Sequence, residues 1–480
     1  MMRFRAFARR WVVSAVAASV AATARPVTAQ PRAPLPVRPL SYTSFVLPNG
    51  LVEILNEDHA SPLVAVDVWY HFGSRDDPPG HAGIAHLCEH VMSQGSPHLA
   101  QPQPAFYRSI GGFPARGAET TDDVTAYYVV VPSNQLETVL WAESDRMAAP
   151  LSLADSQHLP QIRSIIAQER QQNVENVPFG TSRELTLAAL FPTGHPYHPN
   201  PAPGPAGPAD LTADQLRSVC GPYYAPNNAV IALSGDFDAT VARRWIDHYF
   251  GDIPRGKPPA HGPVPQPAAH PERRLVLEDA RARQPELHVD WVGASYANPD
   301  RMALLALASA LSHDQSGRLT RLLIQDRRLA SRVIVENYDL EQSGVFEIAV
   351  VPNPGASMTL IETLVDSTLA SLATTPVTRE EIARFNAANA VRAATSLQTR
   401  FARADTLAHD MIFAGEPTTY ATQAARARRL SPKDVQVIAR KYLTPSRVVM
   451  SRVPAGRLDL VSRPDLPYTN VTPRSGAPKP

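Results

Sequence analysis

The sequence predicts an α+β protein with two similar domains, and three observations support this. A proline-rich stretch, residues 254–271, divides the chain near its middle. Two segments of the first half have counterparts in the second: "GSRDDPPGHAGIAHLCEH" corresponds to "GASYANPDRMALLALASA", and "YYAPNNAVIALSGD" corresponds to "KYLTPSRVVMSRVP". In each half, strand patterns precede helical patterns, and a tyrosine-x-x-proline turn leads into a last strand.

The chain begins with a segment that is typical of a secretory signal peptide. Basic residues in "MMRFRAFARR" precede the apolar run "WVVSAVAASVAA", and "VTAQ" supplies a cleavage site after Ala29. The apolar run is too short to span a bilayer. A mitochondrial transit peptide is the alternative, but such peptides are amphipathic and lack this three-part order. We therefore expect residues 1–29 to direct export to the periplasm or the medium, and residues 30–43 to form a proline-rich leader.

Regular structure is expected to begin near Ser44, in a first domain over residues 44–253. The segment "FVLPNGLVEILNED" predicts a hairpin that turns at an Asn-Gly pair. The segments "PLVAVDVWYHFGS" and "VTAYYVVVP" predict strands, because they are rich in β-branched and aromatic residues. The segment "SNQLETVLWAESDRMA" predicts a helix with one apolar face.

The second half is expected to contain a domain over residues 272–455, after the linker 254–271 and before a disordered tail, 456–480. The 46 basic and 45 acidic side chains nearly balance, so the composition gives no support for binding to nucleic acid. The chain has two cysteines, Cys88 and Cys220, far apart in the sequence. Two cysteines cannot form a disulfide framework, so we expect buried free thiols.

The segment "GIAHLCEHVMSQGSPHL" carries the motif H-x-x-E-H, in His86, Glu89 and His90. Residues four apart lie one above the other on a helix, so the two imidazoles can reach one point, with the carboxylate on the same face. Two neutral imidazoles beside a carboxylate that can accept a proton are typical of catalytic Zn²⁺. The opposite face is apolar and should pack on the core; it comprises Ile84, Leu87, Cys88 and Val91.

A catalytic zinc ion needs a third protein ligand, and the segment "LPQIRSIIAQERQQNVEN" offers one. Ile162, Ile165 and Ile166 form a helical stripe whose next position is Glu169. A carboxylate that points inward is costly unless it is paired or binds a metal. The alternative is an ion pair with Arg163 or Arg170. Glu175 and Glu184 are weaker ligand candidates, because neither continues an apolar stripe.

The order H-x-x-E-H and then a glutamate 79 positions later resembles the pitrilysin and mitochondrial processing peptidase family of insulinase-like zinc peptidases. Further similar blocks follow in order, among them "DDVTAYYVVVPSNQLETVLWAESDRM", "ERQQNVENVPFG" and "YYAPNNAVIALSGDFD". The resemblance implies one Zn²⁺ per chain, held by His86, His90 and Glu169, with Glu89 as the general base of a metalloendopeptidase. It also implies two α+β domains, each a mainly antiparallel sheet flanked by helices, with the metal site in the first domain alone.

The resemblance further implies that peptide substrate adds as a strand to the sheet edge at Gly117, Ala118 and Glu119. Where related enzymes often have a substrate-binding asparagine, this sequence aligns Gly117. Self-sufficient members also carry an arginine and a tyrosine in the second half, where this chain aligns Ile324 and Ser331. A shifted register would instead draw on the neighbouring Arg321, Arg327, Arg328 and Tyr338.

These departures imply a metal-bearing subunit that works with a homologous partner lacking H-x-x-E-H, the two enclosing a peptide chamber. The alternative is a structural or peptide-binding subunit of the same fold that does not turn over substrate.

Overall fold

The structure is a computed structural model, and it describes residues 37–113, 117–155, 157–200, 211–259 and 264–471. The predicted signal peptide, residues 1–29, and residues 30–36 of the predicted leader lie outside these ranges. Within them, no helix combines the length and the apolar character that crossing a membrane requires.

The first half of the chain forms a six-stranded sheet in the order β1-β2-β6-β3-β5-β4. Its strands are β1 (Thr43–Val46), β2 (Val52–Glu57), β3 (Leu63–Tyr70), β4 (Ala118–Thr120), β5 (Thr125–Pro132) and β6 (Ala229–Gly235). The predicted hairpin joins β1 and β2, with Val46 opposite Val52. Neighbouring strands are antiparallel except β2 and β6.

The second half forms a second six-stranded sheet in the order β12-β7-β11-β8-β10-β9. Its strands are β7 (Arg273–Asp279), β8 (Glu286–Gly293), β9 (Ala330–Asp339), β10 (Gly344–Pro352), β11 (Val448–Pro454) and β12 (Thr469–Val471). Strands β7, β11, β8, β10 and β9 repeat the order of β2, β6, β3, β5 and β4, and the first pair is again parallel. The prediction of two similar, mainly antiparallel domains is confirmed.

Helices flank both sheets. Those of the first half are α1 (Ile84–Met92), α2 (Gln103–Ser109), α3 (Leu136–Ala148), α4 (Leu159–Arg170), α5 (Ser182–Leu190), α6 (Ala213–Cys220) and α7 (Ala239–Phe250). Those of the second half are α8 (Arg301–Ser312), α9 (Arg318–Thr320), α10 (Met358–Ser371), α11 (Arg379–Ser396), α12 (Arg400–Ala414), α13 (Thr419–Ala427) and α14 (Pro432–Tyr442). One core lies between each sheet and the helices of its own half.

The other face of each sheet is covered partly by the other half of the chain. Leu407 and its neighbours on α12 pack against Ile54 and Trp69 of the first sheet. In return, Leu187 and Leu190 on α5 pack against the second sheet. Each half of the chain therefore buries apolar surface of the other half. The two sheets are joined by this packing as well as by the linker.

The expectation of two free thiols is wrong, because Cys88 and Cys220 form a disulfide. Cys88 lies on the packing face of α1 and Cys220 ends α6, and these two helices are in contact. The fold brings their Cα atoms to 6.6 Å although 132 positions separate them in the sequence. Nothing local marks such a pair, so the sequence pattern alone did not predict it.

The expectation of a disordered tail over residues 456–480 is also wrong for part of that range. Strand β12 pairs in parallel with β7, and Thr469 lies opposite Leu275. Before it, Val461 packs against Val276 and Val453 in a small apolar cluster. This cluster and the strand pairing hold a segment whose proline content suggested disorder. Residues 472–480 lie outside the described ranges.

Candidate active site

Helix α1 begins where a distant carboxylate caps it. Gly83, in the left-handed conformation with φ 86°, precedes the helix and has no side chain to cap it. The carboxylate of Asp77 accepts hydrogen bonds from the backbone N–H groups of Gly83 at 2.6 Å and Ala85 at 2.8 Å. Burial raises the pKa of Asp77 to about 7, although these hydrogen bonds act in the opposite direction. Asp77 lies six positions before Gly83, outside the local capping pattern, so no motif in the sequence marks it as the cap.

The two faces of α1 have different surroundings, as the sequence predicts. Ile84, Leu87 and Cys88 are fully buried against the first core. His86 and His90 face the opposite way, into a cleft. The helix therefore carries both imidazoles on a support that is packed against the core.

Three side chains converge in this cleft. The Nε2 atoms of His86 and His90 are 3.1 Å apart, and the nearer carboxylate oxygen of Glu169 is 3.5 Å from the first and 3.3 Å from the second. A tetrahedral ion with bonds of about 2.0–2.1 Å spaces its ligand atoms roughly 3.3 Å apart. The donor set, two imidazole nitrogens and a carboxylate oxygen, is one that Zn²⁺ accepts. These residues therefore fit a zinc ion in both spacing and chemistry.

Glu169 reaches this point from α4, which contacts α1. Ile162 and Ile166 are buried and anchor the helix, whereas Ile165 is 36% exposed and does not belong to the inward stripe that the sequence suggests. The neighbouring Arg170 pairs with Glu184 at 3.0 Å and with Glu175 at 3.4 Å. These two carboxylates, the weaker ligand candidates, are therefore engaged by arginine.

Glu89 lies beside the three converging side chains and is only 7% exposed. Thr120 Oγ1 donates a hydrogen bond of 2.7 Å to Glu89 Oε2. Burial raises the pKa of Glu89 to about 7, the charges of Glu169 and Glu119 act in the same direction, and the Thr120 hydrogen bond opposes them. Burial together with the charge of His90 lowers the pKa of His86, which favours the neutral imidazole that a metal ion requires.

The cleft has a volume of about 810 Å³, and strand β4 forms one wall of it. β4 ends the first sheet, and among the described strands it pairs only with β5, so its other edge faces the cleft. Ala118 and Glu119 lie on this strand. Gly117, just before it, has φ +98° and accepts a hydrogen bond from the backbone N–H of Tyr128 at 3.0 Å. Gly117 and β4 are therefore held by hydrogen bonds on the β5 side, while the other edge of β4 is open to pairing with another strand.

The second-half residues considered for an arginine–tyrosine pair are dispersed. Ile324 is half-buried in a π-helical turn, Arg321–Asp326, and Ser331 is exposed on β9. Tyr338, 47% exposed on the same strand, lies under the guanidinium of Arg183 at 5.1 Å from the ring centre. Arg183 in turn pairs with Asp122 at 2.6 Å. Tyr338 is therefore engaged by an arginine of the first half.

Comparisons with known proteins match both halves. A family model described as "Insulinase (Peptidase family M16)" matches residues 52–190, and one described as "Peptidase M16 inactive domain" matches residues 210–388. The zinc protease PqqE of Helicobacter pylori is 26% identical over 350 residues, which are 71% of this chain and 77% of that protein. Further relatives are likewise named zinc proteases.

Two solved structures show the same fold. Pitrilysin superposes with a TM-score of 0.72 at 19% identity, over 88% of this chain and 47% of pitrilysin. The first half of the periplasmic protease PqqL from Escherichia coli superposes with a TM-score of 0.70 at 16% identity, over 88% of this chain and 93% of that structure. With family models matching in both halves and two sheets of the same architecture, the chain belongs to the insulinase-like M16 family of peptidases.

Proposed function

We propose that this chain is a zinc-dependent metalloendopeptidase in which His86, His90 and Glu169 hold the metal and Glu89 is the general base. The observation that carries the proposal is the convergence of the three ligand atoms at 3.1–3.5 Å beside a buried carboxylate. The names of the relatives support peptidase chemistry with zinc.

A bound zinc ion would polarise the scissile carbonyl and make the attacking water acidic enough to react at neutral pH. Glu89 accepts the proton of that water and afterwards donates it to the leaving amine. Thr120 holds the carboxylate toward the cleft by its 2.7 Å hydrogen bond.

The proposed substrate is a peptide or an unfolded polypeptide that binds as an extra strand on β4. Its backbone would pair with Gly117, Ala118 and Glu119, and it would pass beside the metal ligands, which line the same cleft. Strand addition relies on backbone hydrogen bonds, so affinity depends little on sequence. A folded protein offers few free extended segments, which favours unfolded substrates.

We also propose that a homologous subunit without H-x-x-E-H completes the enzyme in an exported heterodimer. The chain spans 47% of pitrilysin, so a second chain of this size would supply the remaining half. Its own second half matches a model described as an inactive domain, and small residues such as Ala306 and Ala310 replace the metal motif there. Export agrees with the predicted signal peptide, with the Cys88–Cys220 disulfide and with the periplasmic location of PqqL.

Two purified preparations, the wild-type chain and Glu89→Gln, test the peptidase proposal. Each is assayed for zinc content and for cleavage of a peptide mixture by mass spectrometry, alone and with a homologous partner. We expect both to hold one zinc ion at this site and the variant to cleave about 10²–10⁴-fold more slowly.

Each contrary result identifies a different failure. Unchanged cleavage by Glu89→Gln would remove Glu89 from the mechanism. Peptide binding without products in any preparation would favour the non-catalytic alternative, whereas full activity of the isolated chain would remove the need for a partner.

A further inference from the structure

A second group of metal-binding residue types lies in the second sheet, on the face opposite the core. In β8, Leu287 and Val289 point into the second core, so the alternate residues His288 and Asp290 share the other face. Glu347 on β10 stands directly opposite Asp290 in the antiparallel register. One ligand atom from each of these three residues lies within 4.8 Å of the others.

Asp290 is the most constrained member of this group. It is fully buried, in the described part of the chain no N–H or hydroxyl group donates to either carboxylate oxygen, and the group that faces it is the carboxyl of Glu347. Burial and the charge of Glu347 raise its pKa to about 7. A buried carboxylate without a partner is costly, and a bound cation is one way to satisfy it.

His288 is held in an orientation that suits a metal ligand. Its Nε2 is 3.1 Å from Glu286 Oε2, and its Nδ1 is 3.1 Å from Glu347 Oε2. When Nε2 donates to Glu286, the lone pair of Nδ1 points toward Glu347 and Asp290. Metal-bound histidines generally use their second nitrogen in this way, on a carboxylate that fixes the ring.

The charges around the group leave room for a divalent cation. Four carboxylates share this part of the sheet: Glu286, Asp290, Glu347 and Glu336, which stands opposite Glu347 on β9. The arginines that act on them are Arg452, 3.4 Å from Glu286, and Arg332. With the four carboxylates ionised and the imidazole neutral, as metal binding requires, two negative charges remain, which equals the charge that a divalent ion would supply. The hydrogen bonds with Glu286 and Glu347 raise the pKa of His288 against the effect of burial, so the ion would displace a proton on binding.

The first sheet has the same buried aspartate without the accompanying ligands. Asp67 on β3 corresponds in position to Asp290, and it too is fully buried. Two positions before it stands Ala65 instead of a histidine, and opposite it stands Tyr128 instead of a glutamate. The complete donor set therefore occurs in the second domain, which lacks H-x-x-E-H.

We propose that His288 Nδ1, Asp290 and Glu347 bind a second divalent transition-metal ion, of the Zn²⁺ class. The mixed nitrogen and oxygen donors suit zinc or cobalt, whereas calcium and magnesium take oxygen alone. The site does not depend on the proposed peptidase function. Its ion would tie β8 to β10 on the face of the second sheet opposite the core.

The test uses the full chain without a histidine tag, in the background His86→Ala with His90→Ala, which removes the first site. Co²⁺ is titrated into the apoprotein and followed by its visible absorption, and bound metal is counted after dialysis. We expect two ions per wild-type chain, one in this background, and none after adding Glu347→Gln. Glu336→Gln is the matched control, because it removes a neighbouring carboxylate outside the ligand group and should retain the ion.

His288→Gln, added separately to the same background, is a second variant and should also lose the ion. Thermal unfolding of each apoprotein confirms that the fold is intact. The proposal is overturned if the His86→Ala, His90→Ala chain binds no Co²⁺. It is also overturned if Glu347→Gln and Glu336→Gln reduce binding equally, because the three ligands would then have no special role.

Discussion

The hydroxyl of Thr120 connects the open strand of the cleft to the proposed general base. Thr120 lies on β4, where substrate would pair, and its Oγ1 donates to Glu89 at 2.7 Å. The same hydrogen bond lowers the pKa of Glu89 against the effect of burial. In the proposed mechanism, Thr120 is therefore a positioning residue, which would act on substrate through Glu89.

Replacing Thr120 with valine should slow peptide cleavage without loss of zinc. The change keeps the side-chain shape but removes one hydrogen bond to a buried carboxylate, for which about 1.5–3 kcal/mol, or roughly 10–160-fold in kcat, is expected. Metal content and kcat are the measurements, and Thr120→Ser, which keeps the hydroxyl, should restore most of the rate. Equal rates for the valine and serine variants would show that the hydrogen bond has no part in catalysis.

At the scale of single residues, the sequence predicted those parts of the site that follow from helix periodicity. The spacing of His86 and His90 and the stripe ending at Glu169 need only the repeat of one helix. Thr120 and Asp77 were not singled out, because each acts on α1 from a different segment, and such contacts exist only after folding.

Helix α1 is held in place at two points along its length. The Asp77 carboxylate binds its first turn, and the Cys88–Cys220 disulfide joins its centre to α6. Cys88 precedes Glu89 and lies between the two histidines in sequence. The disulfide therefore fixes the element that carries most of the candidate site.

Removing this disulfide should lower stability by roughly 2–5 kcal/mol, because it closes a long loop and restricts the unfolded chain. The double variant Cys88→Ser, Cys220→Ser should unfold at a lower temperature than the wild type in calorimetry. Reductant should lower the melting temperature of the wild type but leave that of the double variant unchanged. A wild type insensitive to reductant under unfolding conditions would contradict the disulfide.

Individual strands were easier to predict than their order. The β1–β2 hairpin and strands β3 and β5 follow from local turn and alternation patterns, and all are present. The parallel pairing of β2 with β6 joins segments more than 170 positions apart, and no local pattern encodes it. The same reason explains why β12 was missed within a proline-rich tail.

The two halves of the molecule interlock. α12 covers the first sheet, and α5 packs on the second. A buried network of ion pairs also joins the two halves. In that network, Arg75 of the first half lies 2.5 Å from Glu341, in the turn between β9 and β10, and 2.7 Å from Asp123. The internal repeat predicts two domains, but it does not predict that each half covers the sheet of the other. That covering depends on surfaces that meet only in the tertiary structure.

Cutting the linker should therefore leave the two halves associated. A protease site inserted after the exposed Gln266 allows cleavage of the folded chain. We expect the fragments to co-elute in size-exclusion chromatography, with a melting temperature close to that of the uncut protein. Separation of the fragments under native conditions would show that the covering contacts of α12 and α5 are too weak to hold the halves together.

Anomalous diffraction at the zinc absorption edge, from zinc-loaded crystals of Glu89→Gln, tests the central proposal most directly. We expect a peak within bonding distance of His86 Nε2, His90 Nε2 and a carboxylate oxygen of Glu169. A zinc-loaded crystal with no peak among these three atoms would show that they do not hold the metal.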